Sequence, residues 1–442
     1  MRIKGYGLPQ MEVYTFDKLS DYLGKSKQAQ YLFRYLGEIN AKTFFVESNY
    51  VDKDFLIDYA KFYARSFQAP PRFTERIHFF SSDLTTESFR IAVEEYNDNL
   101  IKSIRKSYLG FTVVKPIGNW YGDPLIGRTI LKTYPEEVEA DFRYFLTHTY
   151  AASLYGIPLN VSSLPYQTQD MAVAACATTA LWIALHPLSV LFAIPTYSPV
   201  EITEKAVTYP GEQRNFPSSG LSILQMINFI NFLGLDTENI NILPGKEEMM
   251  LEAVKAYIKA QIPIIACLEL EAGSECDRCY HAVIVSGYRY DSSGSVKELY
   301  IHDDQIGPYS RVKLGDNPAE WENEWITHYG FKKMVVERLL VPVYPKIGLT
   351  FGRIHAVYLR EKDKIISKGL NAELFLSQVN AYKQHLLKHS FKGKVETLTK
   401  SLPRFLWVIR GHYHGQPILD NVYDGTAIFP QKLLTIIYQY PE

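Results

Sequence analysis

Three side chains far apart in the chain have the types that nucleophilic catalysis needs: Cys176, His281 and Asp303. A thiol is a nucleophile only as its thiolate, an imidazole can accept its proton, and a carboxylate can fix the imidazole tautomer and stabilise its charged form. Cys176 lies in Gln169-Asp-Met-Ala-Val-Ala-Ala-Cys176-Ala-Thr-Thr-Ala-Leu-Trp-Ile-Ala-Leu185. A helix beginning near Cys176 would put the sulfur among unpaired amides at its positive end, which favours the thiolate. The small Ala174, Ala175 and Ala177 leave room for a substrate backbone. A core cysteine within an Ala-rich helix is the competing reading of this segment alone.

The elements that must position these groups follow from the residue patterns. An Ala-rich helix is expected over 171–185, then amphipathic helices over 221–233 and 247–260. The first of these two stops at Gly234, a natural helix end. Residues 262–270 and 281–290 read as apolar strands, Asp291-Ser-Ser-Gly-Ser as a turn, and 296–303 as the returning strand. His281 thus opens one strand and Asp303 ends the next, and a hairpin between them brings the carboxylate to the ring. A lone His at a strand start is usually structural, and an Asp pair before Gly307 can be a plain loop. Helices first and an antiparallel meander after them is an α+β pattern.

The ordered set resembles the papain-like cysteine peptidase superfamily, in particular its bacteriocin-leader-processing branch. A Gln precedes a Cys that opens a helix. Lys259-Ala-Gln-Ile-Pro263-Ile-Ile-Ala-Cys-Leu is similar to the Pro-containing strand before the His of those proteins, and His281-Ala-Val-Ile-Val-Ser-Gly287-Tyr288 to their His strand. Asp303-Asp-Gln-Ile-Gly307 is similar to their Asp turn, which selects Asp303 over Asp304. The resemblance covers about 140 residues, 167–307. It implies a helical Cys lobe against an antiparallel sheet carrying His and Asp. It also implies a Cys176–His281–Asp303 triad acting on a peptide or protein substrate, with the Gln169 amide joining the Cys176 backbone N–H as oxyanion donors. Hydrolysis of a peptide or isopeptide bond is the first expectation. Acyl transfer or deamidation with the same triad, or a peptide-binding module that kept the fold without catalysis, are the alternatives. The sequence departs from the pattern at Ala177, where Gly is usual, and at Asp304, where Pro is common. The Gln169 to Cys176 spacing is one residue longer than usual, which leaves Gln167 as the spare donor.

Other motifs compete for the same residues. Cys276-Asp-Arg-Cys279-Tyr-His281 can be read as half a zinc site or a redox pair, but no second Cys-x-x-Cys exists to complete four ligands. A loop beside the cleft is the preferred role for Cys276 and Cys279. His385 and His389, four apart, read as surface helix residues, and His412-Tyr-His414 is unconvincing as a ligand pair. Phosphate-binding Gly motifs and Gly-x-Ser-x-Gly are absent from the sequence. No metal and no cofactor is expected.

With 442 residues, more than one typical core is expected. The divisions are soft: 1–150, a mixed α/β section of unknown role; 151–345, the domain with the triad; 346–442, a mixed section that folds alone or completes the central sheet. In the flanks, helices are expected over 54–67, 87–105 and 372–387, and strands over 108–116, 126–131, 351–359 and 404–410. The 47 basic residues are balanced by 48 acidic ones, so no global field draws the chain to nucleic acid. Lys383, Lys388, Lys392, Lys394 and Lys400 are interrupted by Glu396 and read as a solvated helix face. The longest apolar run, 181–195, is too short to span a bilayer and holds His186 and two prolines. The N-terminus shows no apolar signal core, and only four Cys are present, so a cytoplasmic protein is expected. The large flanks suit a regulatory protein partner.

Overall fold

Residues 264–268 and 282–285 are apolar on both faces and form the buried centre of a sheet. The computed structural model describes residues 11–118, 122–170, 172–211, 216–218, 220–272 and 278–440. The fold is α+β with antiparallel sheets. Neighbours in the central sheet run in the order Asp236–Asn241, Lys333–Val343, Ile264–Glu271, Arg278–Tyr290, Val296–Asp303, Gly307–Leu314 and Trp321–Glu322. Asp141–Phe145 also joins it, pairing with residues 287–290 of the His strand, Arg278–Tyr290. Gly287 permits that approach: a Cβ there would stand 2.5 Å from the Tyr144 carbonyl oxygen.

The Cys helix, Cys176–Phe192, packs on the two central strands Ile264–Glu271 and Arg278–Tyr290, and so does the helix Glu248–Lys259. Ala177 through Leu185 are all buried, as befits a helix apolar around its whole circumference. The helix expected over 171–185 starts at Cys176 and runs past Pro187 to Phe192.

The N-terminal section makes its own meander of Val13–Thr15, Thr43–Tyr50, Thr74–Phe80, Tyr108–Gly118 and Pro124–Leu131. The helix expected over 87–105 is two, Thr86–Glu94 and Asp98–Ser107, because Asn97 caps the second with its side chain. The hairpin His148–Leu154 with Ile157–Ser163 spans the expected boundary at 150.

The C-terminal strands Asn371–Gln378, Phe405–Tyr413, Gln416–Asp424, Lys432–Gln439 and Ser390–Phe391 form a separate five-stranded sheet and add none to the central one. Two expectations fail here. Residues 351–359, read as a strand, lie in the helix Phe351–Ile366. Its buried Phe351, Ile354, His355, Tyr358 and Ile365 recur at helical spacing, which the aromatic and β-branched content masked. Residues 372–387, read as one helix, are the strand Asn371–Gln378 followed by the helix Val379–Leu387. Full pairing of the strand with Phe405–Tyr413 overrides its local helix preference. The section docks through Glu373, which accepts from Lys259 at 2.6 Å and lies 3.7 Å from Lys255 on the helix Glu248–Lys259. No helix among the described residues is long and apolar enough to cross a membrane.

Candidate active site

Asp170 organises the chain that leads into the Cys helix. Its Oδ1 accepts from the amides of Ala172, Val173 and Ala174 at 3.0, 2.8 and 2.8 Å, and its Oδ2 from the Tyr63 hydroxyl at 2.6 Å. The loop is thus wound around one carboxylate before the helix starts. Cys176 is the first helical residue, its preceding Ala175 is extended, and no side chain caps the helix. The first-turn amides have no intrahelical acceptor and remain available to a ligand.

The N-terminal section holds this helix from behind. Trp182 Nε1 donates to Asp54 Oδ2 at 2.9 Å, and Arg128 holds the same oxygen at 2.8 Å. Asp54 belongs to the helix Lys53–Lys61, whose Asp58 accepts the Val200 amide at 3.0 Å. A hydrogen bond between charged groups, as from Arg128 to Asp54, contributes about 1.5–3 kcal/mol.

His281 and Asp303 come together through register. Ile284 lies opposite His302, so Asp303 falls diagonally across from His281. His281 Nε2 stands 3.1 Å from Asp303 Oδ1. Successive strand residues face opposite ways, so His302 turns aside to the Pro165 carbonyl. Asp303 also accepts from the Gln305 amide at 3.0 Å and from Trp325 Nε1 at 2.7 Å. The Trp325 ring meets the His281 ring edge-on, centroids 5.2 Å apart. The turn is braced by the helix Lys27–Glu38: a Cβ on Gly307 would stand 2.0 Å from the Tyr31 ring, and the Tyr31 hydroxyl donates to the Pro308 carbonyl at 3.1 Å.

With Nε2 turned to Asp303, Nδ1 is the ring nitrogen left to face Cys176, which lines the same cleft as His281. Burial alone would discharge the imidazole. The negative charge and hydrogen bond of Asp303, with the bond and charge of Cys176, outweigh it and hold His281 well above its ordinary pKa. Burial pushes Asp303 up too, but the His281 charge and the bonds from His281, Trp325 and Gln305 bring it below the usual carboxylate range. Both shifts run in the direction that favours an imidazolium beside a carboxylate. His281, Asp303 and Asp304 are 4%, 0% and 2% exposed, so this pair forms away from water.

Asp304 differs from its neighbour. Its Oδ1 is 3.7 Å from His281 Nε2, yet neither carboxylate oxygen has a hydrogen-bond partner. Burial and the Asp303 charge push it up to about 7 against the pull of His281. His281, Asp303 and Asp304 are also compact enough to hold a cation, with ligand atoms within 4.8 Å of one another. That use and the triad use compete for the same His281 nitrogen. The donors already on both Asp303 oxygens suit the hydrogen-bonded arrangement.

A cleft of about 900 Å³ is lined by Cys176, Ala177, His281 and Ala282, with Tyr280 and Leu224 at its exposed edge. In comparison with known proteins, no family model matches the chain and no curated protein matches it. Gln169 is half-buried and, like Gln167, is not among the described residues lining the cleft. Gln167 accepts weakly from Lys115 at 3.4 Å. Gln225 does line the cleft, with its amide donating to the Tyr209 carbonyl at 3.2 Å.

The remaining sequence candidates fall elsewhere. Cys276 lies outside the described residues. Cys279 is exposed and unpaired, and Cys267 is a buried thiol that burial pushes up to about 12. His385 Nε2 accepts from Arg410 at 2.9 Å, and His389 donates to the His385 carbonyl at 2.9 Å. Trp325 and Asp170 escaped sequence reasoning. Asp170 before small residues is a loop-winding signal that could have been found; Trp325 gives no local sign.

Proposed function

We propose that the chain is a papain-like cysteine hydrolase that cleaves peptide or isopeptide bonds with Cys176, His281 and Asp303. The observation that carries this reading is a single cleft holding Cys176 at an uncapped helix start and a buried His281 bound to Asp303.

In the proposed cycle the Cys176 sulfur attacks the substrate carbonyl carbon, and the C–S bond forms as the carbonyl π electrons move to oxygen. The Cys176 backbone amide at the open helix end holds the oxyanion. His281 gives its proton to the leaving nitrogen, and the C–N bond breaks to leave a thioester. Water attacks the thioester, His281 takes a proton from it, and the acid departs as the thiolate–imidazolium pair is restored. Asp303 keeps the ring oriented throughout. An amine in place of water makes the same site an acyl transferase, and a side-chain amide as substrate makes it a deamidase.

The position of Gln169 outside the cleft lining favours one alternative, a peptide-binding module without catalysis. Alkylation with iodoacetamide at pH 7, read by mass spectrometry, separates them. Cys176 should react at least about 100-fold faster than Cys267, and His281→Ala should slow it by a similar factor. Similar rates at Cys176 and the exposed Cys279, unchanged by His281→Ala, would support the module.

A further inference from the structure

We infer that Arg338 makes the cleft select a substrate carrying one carboxylate next to the bond that is cut, an inference that rests on the hydrolase reading above. The strand Lys333–Val343 pairs with Ile264–Glu271, and its register breaks at one point. Leu268 faces Val336 and Cys267 faces Arg338, so Glu337 is an extra residue on its strand. On the other side Arg338 faces Asn241, and the Glu337 carbonyl is taken by the Ile242 amide at 2.9 Å. A bulge of this kind breaks the alternation of side chains and re-aims them. Glu337 and Arg338, although consecutive, both line the cleft that holds Cys176 and His281.

Among the described residues Arg338 keeps an open donor. Its Nε is buried with no hydrogen-bond partner. It is the only Arg or Lys among the described residues lining the cleft. Glu337, the one carboxylate there, is already engaged and is not free to serve as a counter-charge at will. A guanidinium with an open donor matches a carboxylate, which it can hold through two parallel bonds.

Strand register places this charge with only the strand Ile264–Glu271 between it and the strand that carries His281. Cys267 faces Ala282, the neighbour of His281, on one side and Arg338 on the other, and all four residues line the cleft with Cys176. The other walls mix apolar Val207, Leu221, Ile223 and Met226 with polar Ser218, Ser222 and Gln225. The cleft therefore suits an apolar side chain and a single acidic group, from an Asp or Glu side chain or from a chain terminus. A second acid would meet Glu337.

Small alkylating agents test this without knowledge of the substrate. Iodoacetate and iodoacetamide carry the same leaving group and differ in charge. The ratio of their rates at Cys176 should fall roughly tenfold in Arg338→Gln and be largely kept in Arg338→Lys, as expected for loss of a charged partner. A ratio unchanged in Arg338→Gln overturns the inference. If Cys176 reacts with either agent no faster than Cys279, it is the hydrolase reading that fails. Protection of Cys176 by capped dipeptides separates the sources. Acetyl-Leu-Glu-amide protecting best assigns a side-chain carboxylate, and acetyl-Leu-Gln with a free C-terminus protecting best assigns a terminal one. Acetyl-Leu-Gln-amide protecting as well as either contradicts the proposal. Near-ultraviolet circular dichroism of each variant confirms that the comparison is made on folded protein.

Discussion

Two buried charge networks in this molecule are built from similar groups and finished in opposite ways. In the C-terminal sheet Arg410 faces Asp420 across the strand pair and binds it with two bonds, Nε at 2.7 Å and Nη2 at 2.8 Å. Tyr382 and Tyr438 donate to the same carboxylate at 2.9 and 2.6 Å, so both of its oxygens are taken. Around His281 one carboxylate is equally well served, but the next residue, Asp304, is buried with neither oxygen bonded. A network closed on every side fixes a structure. One that stores a charged imidazole against a cleft, with an acid left unpaired, is the arrangement expected where protons must move.

The comparison breaks most visibly by removing the closed network. Asp420→Ala leaves Arg410 buried without its counter-charge and should destabilise the protein by about 3–5 kcal/mol, read by chemical denaturation. The rate of Cys176 alkylation in the folded variant should not change. A stability loss below about 1 kcal/mol would show that the network is not the anchor described.

The open network should respond with the opposite sign. Asp304 is held at about 7 in the folded protein, above the ordinary carboxylate value. Between those values the folded chain keeps a proton that the unfolded chain has released, so stability falls as pH rises through that window. Asp304→Asn removes the effect and should stabilise the protein at pH 8 by roughly 2–4 kcal/mol, with little change at pH 4. Thermal unfolding at the two pH values checks this, and equal shifts at both would contradict it.

The smallest expected effect is at the support of the orienting acid. Trp325→Phe keeps the ring against His281 but removes the 2.7 Å donor to Asp303. It should slow Cys176 alkylation by about fivefold to tenfold, less than one full bond to a charged group because the lost bond acts on the thiol only through Asp303 and His281. An unchanged rate would mean that Gln305 and His281 suffice to hold the carboxylate.

What the sequence made legible here is local. Cys176 before an Ala-rich run, His281 opening an apolar strand and Asp303 closing the next are all marked by their own neighbours. Tertiary partners left no such mark. Trp325, Tyr31 and Tyr63 reach the site from segments with no motif. Gln169 had the right type near Cys176, but Asp170, one residue on, is the side chain the loop folds around. The strand bulge at Glu337 depends on pairing with Ile264–Glu271 and is invisible in the segment itself. Residues 351–359 and 372–378 were misread because apolar runs of that length fit either period until a neighbour selects one.

The central claim is that His281 is a charged imidazole held between Asp303 and Cys176. Selective labelling of the imidazole carbons and an NMR titration of His281, in the wild type and in Cys176→Ala, tests it most directly. The account predicts that His281 loses its proton well above the ordinary histidine value in the wild type and at lower pH in Cys176→Ala, where one of the supports has gone. A wild-type ring that titrates at or below about 6.5, the ordinary histidine value, would contradict it.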